Sequence, residues 1–527
     1  MRCLRPWLLA SLALLALDGC KPDTGEGDDE VGDTGTDTSS ETGTDTSTSE
    51  TSSTSETGSE PLLGSVEIVL HPNQPMVVDV LVELAEPGFA TLTHPDDPGV
   101  RVARLDGSGA ATSVHFRVRG LAPDQAHAME LGLGLVEGMP GEVHGVDFTT
   151  NPPGPGFIAA FALTENQPGA VDSDYRLFDL SRLYVEGSPS LFMIDPVGRT
   201  RWHFGVDEAQ VGLDQLWVGP KLRADGSVLV MRNDAALIYD ELGEELLRVE
   251  ADADLGVHDF HHDLVELPSG NLLAFTWSYQ DVDYQGEGTL HVAGDRLVEF
   301  TPAGELVWSW DTFDYLDPQR RRDGFFGNFP ITDPDTNQAA YDWTHGNGIV
   351  YADGTIYVSL RHQDWILAID HASGDLLWRL GDEGDFALGP NSTWFFHQHS
   401  PQWQPDGTLM LYDNGVGNPN QPDADAHTRA VRFALDFDAM TATQVWQDDD
   451  AKFISPVAGD ADRTSGGHVL RLDSVLGDLP GSETSYSRLR ELDPASTPNA
   501  IWSIDLPMGM FAYRNLPLDR LVGEAAP

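Results

Sequence analysis

The sequence predicts an all-β chain in which a small β-sandwich precedes a six-bladed β-propeller. One observation is a unit repeated after residue 155: a strand ending in an acidic or polar residue, a Pro/Gly turn, and a strand that often ends in Trp. Clear copies lie at 191–202, 237–243, 297–308 and 366–378, and weaker copies at 433–446 and 489–502. A second unit, a turn such as 352–355 followed by an apolar strand, precedes most copies. Two-hairpin units recurring about six times, roughly every 45 to 70 residues, are typical of a propeller.

Residues 1–20 have the pattern of a lipoprotein signal peptide. Arg2 and Arg5 precede an apolar segment, 7–17, that is short for a membrane span, and Leu17-Asp18-Gly19-Cys20 resembles a bacterial lipobox. We therefore expect lipidation of Cys20, export, and anchoring to the bacterial cell envelope on its periplasmic face or surface. Asp18 is unusual in a lipobox, so plain secretory cleavage is the alternative. The chain has two cysteines, Cys3 and Cys20, so the mature protein would contain no disulfide.

Residues 21–60 are nearly all Thr, Ser, Gly, Asp and Glu and predict a disordered acidic linker. The sequence then changes to short segments of alternating or β-branched residues, such as 65–70, 77–82 and 114–118. These predict strands of a β-sandwich over 61–155. Gly120-Leu121-Ala122-Pro123-Asp124 and the ending 147–150 resemble fibronectin type III domains. No catalytic constellation is visible in this domain.

Residues 156–527 form the predicted propeller. The tryptophans that end its units are expected to pack between blades; they are Trp202, Trp308, Trp378, Trp446 and Trp502. Loops at one end of the blades converge on a central channel, so side chains that are remote in sequence can meet there.

The charge balance restricts the partners. The chain contains 30 Lys+Arg against 85 Asp+Glu, a formal net charge of −55, which repels nucleic acids and acidic membrane surfaces. We expect no nucleic-acid partner and membrane contact only through the lipid anchor. A small anionic ligand would need a local cluster of Arg and His. The sequence does not indicate an oligomeric state.

Four histidine-containing stretches lie beside predicted strands and are candidates for such a cluster. They are 260–264, 342–347, 359–363 and 395–403. Since they belong to different repeats, a radial fold would gather them at one mouth. We expect this mouth to hold or transfer a small anionic group.

These stretches resemble the arylsulfotransferase family of bacterial propeller enzymes. The motifs are His261-His262-Asp263 followed by 266–271, Asp342-Trp343-x-His345-x-Asn347, Ser359-x-Arg361-His362-Gln363, and Gln398-His399 with 405–407 and 413–415. They occur in this order over about 156–520. The resemblance implies transfer of a sulfuryl group from a phenolic sulfate ester to a phenolic acceptor through a sulfohistidine, with no nucleotide sulfate donor and no cofactor. It implies His399 as the nucleophile and His262, His345 and Arg361 as the residues that hold the sulfuryl oxygens.

Chemistry supports this residue set. A neutral imidazole is a good nucleophile and, once sulfated, a good leaving group. Charge on the sulfuryl oxygens calls for fixed donors, and Arg361 supplies a permanent forked cation while His262 and His345 supply positioned N–H groups. One of these histidines could also deprotonate the acceptor phenol.

Several alternatives remain open from the residues alone. Trp343, Trp365, Phe395 and Phe396 are candidate walls for the aryl rings, with packing between blades as the other interpretation. His258, His261 and His262 could belong to a metal site, but the sequence favours no metal because Cys ligands are lacking and neighbouring carboxylates are not enriched. His261 and His397 are assigned structural roles. The alternative function is a non-catalytic propeller lipoprotein that binds an aromatic or anionic small ligand.

Overall fold

The computed structural model describes residues 46–47 and 61–526, apart from 168, 182–188, 206–217, 253–254, 323–330, 420–425, 450–451 and 479–481. The predicted signal, Cys20 and most of the predicted linker lie outside the described residues. The chain is all-β, as predicted, and most strand pairs are antiparallel. The helices described are the α-helix Thr312–Tyr315 and the 3-10 helix Arg361–Gln363. None of these described helices has the length and apolar content needed to cross a membrane.

The first unit is built around one long strand. Its strands are β1 (Thr46–Ser47), β2 (Leu63–Leu70), β3 (Val77–Thr93), β4 (Arg101–Arg104), β5 (Ala111–Arg119), β6 (Ala126–Gly134) and β7 (Glu142–Thr149). The first part of β3 pairs with β2 and β5, and its last five residues pair with β6. Alternate side chains such as Val80, Phe116 and Leu131 are buried in one core between these two groups of strands.

Six sheets follow. Sheet I contains β9 (Tyr175–Leu180), β10 (Ser190–Ile194), β11 (Thr200–Gly205) and β35 (Asn515–Leu518), and sheet II contains β12 (Val218–Leu222), β13 (Val228–Arg232), β14 (Ala235–Tyr239) and β15 (Glu245–Glu250). Sheet III contains β16 (Phe260–Glu266), β17 (Leu272–Tyr284), β18 (Gly288–Phe300), β19 (Leu306–Asp311), β20 (Ile331–Asp333) and β21 (Gln338–Asp342). Sheet IV contains β22 (Gly346–Ala352), β23 (Thr355–Leu360), β24 (Trp365–Asp370) and β25 (Leu376–Gly381). Sheet V contains β26 (Ala387–Leu388), β27 (His399–Trp403), β28 (Leu409–Asp413), β29 (Arg429–Asp436) and β30 (Thr441–Gln447), and sheet VI contains β31 (Asp460–Arg463), β32 (Val469–Leu476), β33 (Tyr486–Leu492), β34 (Ala500–Asp505) and β8 (Leu163–Asn166).

The two ends of this region pair with distant sheets. Strand β35, from the end of the chain, pairs with β9 of sheet I, while β8, from the start, pairs with β34 of sheet VI. The inner strands also contact one another in the sequence β12, β16, β22, β27, β31 and β35, and β35 contacts β12. Each end of the region is therefore held by hydrogen bonds to a remote part of the sequence.

Tryptophans link neighbouring sheets. The indole of Trp202 in sheet I donates to the carbonyl of Glu241 in sheet II at 2.9 Å, and Trp502 in sheet VI donates to Pro196 in sheet I at 2.8 Å. Both indoles are buried, which confirms their predicted packing between sheets. In sheet III, Trp310 makes the corresponding bond to Gly374 at 3.0 Å, whereas Trp308 packs against the ring of His371.

Buried ion pairs connect the first unit to sheet II. Arg117 of β5 donates to Asp79 and to Glu241, each at 2.7 Å, and Arg119 also donates to Glu241. Burial alone would raise the pKa of Asp79, but the hydrogen bonds and charge of Arg117, together with His71, hold it well below its usual value. A carboxylate with a lowered folded pKa stabilises the fold above about pH 4, and this contribution is lost as the pH falls from there through the folded pKa.

Arg117→Met should therefore destabilise the protein at neutral pH. Removing the cation leaves the buried Asp79 without its main partner and Glu241 with Arg119 alone. Loss of one partner of a buried pair costs about 3–5 kcal/mol in other proteins. We expect a lower melting temperature, and a smaller difference between variant and parent below pH 4. Arg248→Met, which removes an exposed pair with Glu245, is the control and should change the melting temperature little. Equal shifts in the two variants would contradict this account.

Candidate functional site

Four inner strands contain an irregularity in their hydrogen-bonded pairing. The pairing register shifts in β12 between Val218 and Lys221, in β16 between His261 and Leu264, in β22 between Gly346 and Gly348, and in β27 between His399 and Gln402. Three non-glycine residues here have positive φ, namely His262 at 61°, His345 at 53° and Ser400 at 49°. Such conformations are unfavourable for most residues and occur often at functional sites. The bulges turn side chains away from the regular alternation of the strands.

Local packing explains part of this backbone. The carboxylate of Asp295 accepts from the Gly346 N–H at 2.7 Å and holds the turn that carries His345. A β-carbon at Gly346 would lie 2.4 Å from Cε1 of Phe275, so only glycine allows this close approach of sheets III and IV.

The structure brings the four predicted catalytic residues together. The rings of His262 and His345 lie 4.5 Å apart, centroid to centroid. His262 and His399 contact the same ring, that of Tyr513, at 5.9 Å and 6.3 Å. The backbone N–H of Arg361 donates to the carbonyl of His345 at 3.0 Å. The positive charge of its guanidinium lowers the pKa of all three imidazoles.

The hydrogen bonds of His399 define its tautomer. Its Nδ1 lies 2.7 Å from Oδ1 of Asn414. The amide nitrogen of Asn414 donates to the carbonyls of Ser455 and Ala458 at 2.8 Å and 2.9 Å, so Oδ1 must be the acceptor and Nδ1 must carry the hydrogen. The lone pair is then on Nε2, for which the described residues provide no hydrogen-bond partner. His399 is 2% exposed.

The electrostatic environment keeps this ring neutral. Burial lowers the pKa of His399 well below its usual value, and the charges of Arg514 and Arg361 lower it further. At neutral pH the Nε2 lone pair is therefore available for attack on an electrophile.

His262 and His345 are each held by a neighbour. Nδ1 of His262 lies 2.9 Å from Nδ1 of His261, whose ring stacks on Trp277 at 3.8 Å. Nδ1 of His345 lies 2.5 Å from Oδ2 of the buried Asp342. Burial raises the pKa of Asp342 and lowers that of His345, so both groups shift toward their neutral forms. When the proton resides on Asp342, Nε2 of His345 carries a hydrogen and can donate to an anion.

Other residues of the sequence motifs fasten the loops. Asn347 donates to the carbonyl of Gln398 at 2.9 Å, and the Gln398 amide donates to the carbonyls of Leu360 and Trp365 at 3.3 Å and 3.0 Å. Nδ1 of His397 lies 3.1 Å from the carbonyl of Arg361. These bonds hold His399 of sheet V against the residues of sheet IV.

Tyr513 and Arg514 complete the cluster, and our sequence reasoning missed both. The Arg514 guanidinium donates to the Ser400 hydroxyl and to the carbonyls of Gly459 and Asn347, all uncharged acceptors. The Tyr513 hydroxyl is buried and makes no hydrogen bond within the described residues. The backbone N–H groups of Tyr513 and Arg514 both donate to the carboxyl group of Asp179, at 2.8 Å and 2.9 Å. The available signal was their position directly before the last inner strand, which corresponds to the position of His399 at the start of β27.

The four predicted aromatic walls lie in packed regions. Trp343 and Trp365 belong to the apolar cluster between sheets III and IV, and their indoles donate to the carbonyls of Arg320 and Asp382. Phe395 packs against Trp394 and Phe433 inside sheet V. Phe396 lies 4.1 Å from the ring of His397. The ring contacts described for these four do not reach His262, His345 or His399, and their role in substrate binding stays a prediction.

A cavity of about 650 Å³ lies next to the cluster, further along the inner strands. Its wall includes Arg514, Ser400 and Asp263, but not His262, His345, Arg361 or His399. Asp263 accepts from Lys221 at 2.5 Å and from the Ile349 N–H at 2.8 Å. Asp263 and Arg514 thus lie in the wall of this cavity and are the chain neighbours of His262 and Tyr513.

One group in the described part of the chain has the spacing of metal ligands. Asp342, His345 and His362 place one ligand atom each within 4.8 Å of one another. The Asp342–His345 hydrogen bond occupies two of these groups, and Nδ1 of His362 lies 3.1 Å from the carbonyl of Asp342. An ion here would have to replace the bond that orients His345.

Comparison with solved structures gives distant similarities only. A protein of unknown function from Bacteroides caccae is 12% identical, with a TM-score of 0.40, over 66% of this chain and 100% of that one. A protein of unknown function from Dyadobacter fermentans is 11% identical, with a TM-score of 0.31, over 67% of this chain and 88% of that one. Hsv2 from Kluyveromyces lactis is 10% identical, with a TM-score of 0.28, over 65% and 99%. At these scores they carry no functional argument.

Comparison with curated proteins gave no match. The family model described as Arylsulfotransferase (ASST) matches residues 163–514, most of the chain and all of the residues that form the cluster.

Proposed function

Because the chain belongs to the arylsulfotransferase family, we propose that it moves a sulfuryl group from a phenolic sulfate ester to a phenolic acceptor through a sulfohistidine at His399. The observation that carries this proposal is the hydrogen bond from Nδ1 of His399 to Asn414, which leaves the lone pair on Nε2. The same ring contacts Tyr513, which His262 also contacts, and lies in the field of Arg361. The donor and acceptor are small phenolic molecules. No nucleotide sulfate and no cofactor is needed.

Two displacements at sulfur account for the transfer. In the first, Nε2 of His399 forms a bond to sulfur while the bond from sulfur to the aryl oxygen breaks, and the phenolate leaves with the electron pair. The imidazole becomes cationic, and Oδ1 of Asn414 stabilises its N–H. In the second, the acceptor oxygen attacks sulfur, the sulfur–nitrogen bond breaks, and the phenol proton passes to the unprotonated ring nitrogen of His262. His399 returns to its neutral form.

The surrounding donors stabilise charge on the three sulfuryl oxygens. Burial lowers the pKa of Arg361 to about 10, so the guanidinium remains charged at neutral pH. Nε2–H of His345 is a neutral donor and adds no further positive charge beside Arg361. Fixed donors of this kind act most strongly in a buried site, where water does not screen them.

We also infer the architecture that supports this site. Contacts between successive inner strands, and the pairing of β35 with β9 and of β8 with β34, support a closed six-bladed propeller. The two groups of strands joined by β3 support a small sandwich of the fibronectin type III kind before it. The signal pattern at 1–20 supports export and anchoring of the protein through a lipid on Cys20.

Turnover of an aryl sulfate is the test of the function. The full chain is incubated with 4-nitrophenyl sulfate, first alone and then with a phenol acceptor, and nitrophenol release and acceptor sulfation are measured. We expect release to depend on the acceptor after one turnover, and the mass of the protein to increase by one SO₃ group with donor alone. If no aryl sulfate is turned over, the alternative function, a non-catalytic ligand-binding protein, is favoured instead.

Acid should affect the fold before it affects the nucleophile. Six histidines, four buried and two partly buried, have a pKa held well below the usual value by loss of solvent and by neighbouring positive groups; they are His261, His262, His345, His362, His397 and His399. The unfolded chain takes up these protons near pH 6.5 and the folded chain only at lower pH, so stability falls as the pH drops below about 6.5. We expect the rate of the first half-reaction to stay level from pH 7.5 to 6 while the melting temperature decreases. A rate that halves near pH 6.5 without a change in melting temperature would contradict this.

Tyr513→Phe should separate catalysis from stability. The hydroxyl of Tyr513 has no hydrogen bond within the described residues, so its removal should leave the melting temperature unchanged or slightly higher. If the hydroxyl donates to the sulfuryl group, kcat/KM should fall about 10-fold or more. Tyr412→Phe is the matched control, because that hydroxyl bonds to the buried Asp473 at 2.8 Å and its loss should lower the melting temperature. Unchanged kcat/KM in Tyr513→Phe would remove Tyr513 from the mechanism.

A further inference from the structure

The hairpin between β6 and β7 exposes several large apolar side chains. Leu135, Val136 and Met139 are 58%, 57% and 70% exposed, and Val143 at the start of β7 is 52% exposed. Isolated apolar residues on a surface are common, but four within nine consecutive positions form a patch that calls for a partner. This segment is called the apolar hairpin, residues 135–143.

The apolar hairpin has a fixed conformation. The Met139 N–H donates to the carbonyl of Val136 at 3.1 Å, and the Gly141 N–H donates to the carbonyl of Leu133 at 2.7 Å. Gly138 has a φ of 73°, which suits this tight turn. The exposure of the side chains is therefore a property of an ordered turn, and little conformational entropy would be lost when a partner covers it.

The base of the hairpin lies where the chain enters the first unit. The Leu62 N–H donates to the carboxylate of Glu142 at 2.7 Å, directly beside Val143. The carbonyl of Gly134 and the Leu62 side chain also approach the same glycine, Gly88, where an added β-carbon would lie 3.1 Å and 3.3 Å from them. The chain thus enters β2 beside the apolar hairpin, while the earlier strand β1 pairs with Ile68 and Val69 at the other end of β2.

We propose that the apolar hairpin inserts into the surface of the membrane that carries the lipid anchor, which revises the expected contact through the anchor alone and rests on the proposed anchoring through Cys20. The anchor restricts the protein to a short distance from the bilayer, so a second contact near the linker forms at a high effective concentration. Residues 135–143 contain two Glu and neither Lys nor Arg. The contact therefore depends on apolar side chains and favours a neutral lipid surface over an anionic one.

An environment-sensitive label tests the contact in the full acylated chain. Apart from Cys3, which leaves with the signal, the chain has only Cys20, so Val136→Cys provides the one thiol available for a fluorophore. We expect the label at 136 to shift to shorter wavelength and to brighten at least about 2-fold when the protein is reconstituted in neutral phosphatidylcholine vesicles. Val445→Cys is the control, since Val445 is 51% exposed on β30 of sheet V, and its label should not change.

The outcomes separate the possible failures. A chain whose mass shows no lipid on Cys20 overturns the proposal through its anchoring premise. A lipid-bearing chain in which the labels at 136 and 445 respond alike overturns it at the hairpin itself. The label at 136 could also shift without vesicles as the protein concentration rises. That result would assign the patch to contact with a second copy of the chain and would also overturn the proposal. Nitrophenol release is measured in both labelled proteins, so a failure of the proposed sulfotransferase activity is scored separately.

Discussion

His399→Ala is expected to abolish sulfuryl transfer. The variant lacks the nitrogen that we propose attacks sulfur, the one whose lone pair is set by the bond of His399 to the fixed amide of Asn414. We expect kcat/KM for aryl sulfates to fall on the order of 10⁴-fold or more, as when the nucleophile of a covalent mechanism is removed. The mass increase by one SO₃ group with donor alone should also disappear.

The control for this variant is His258→Ala. His258 is a surface histidine paired with Asp335, and it belongs to none of the contacts of the cluster. Its removal should leave both the rate and the sulfated mass unchanged. If His399→Ala still forms the sulfated protein, the nucleophile is another residue and the mechanism must be reassigned.

Arg361→Met is expected to give the second largest loss. A methionine retains the apolar stem of the arginine but loses the hydrogen bond from its guanidinium to the carbonyl of Pro456, so we expect some decrease in melting temperature as well. The sulfuryl oxygens would lose their only permanent cation among the four predicted residues, so kcat should fall about 10²–10³-fold, the usual effect of removing one fixed donor. Arg361→Lys should recover only a small part, because a point charge cannot reproduce the forked donor geometry.

Arg379→Met provides the comparison. Arg379 is also on sheet IV and pairs with Asp385 at 2.8 Å, but its side chain is 37% exposed. Its rate should equal that of the parent. A large drop in melting temperature in Arg361→Met, with an unchanged kcat in the molecules that remain folded, would assign Arg361 a structural role.

The part of the site that could be predicted consists of residues that share a repeat position. His262, His345 and His399 lie at or just before the inner strand of successive sheets, so the repeat itself indicates that they meet. Motif residues such as Asn347 and Gln398 could be recognised in the sequence pattern, but the hydrogen bonds that they make could not be predicted from it. The structure shows that they hydrogen-bond sheet V to sheet IV.

The remainder depends on contacts between remote segments. Tyr513 and Arg514 follow no histidine motif, and their place in the cluster arises only when β35 pairs with β9. The tautomer of His399 depends on two carbonyls, of Ser455 and Ala458, that orient Asn414. The aromatic residues next to the motifs show the opposite difficulty: adjacency in sequence did not distinguish a ring facing the cluster from a ring in the core.

The pairing of β35 with β9 has a consequence for biosynthesis. The strand that completes sheet I and delivers Tyr513 and Arg514 is made more than 300 residues after its partner, since the two pair at Asn515 and Phe178. A nascent chain that ends just before Tyr513 contains His262, His345 and His399 but lacks Tyr513, Arg514 and β35. Catalytic competence should therefore appear only after β35 has been made and has paired with β9.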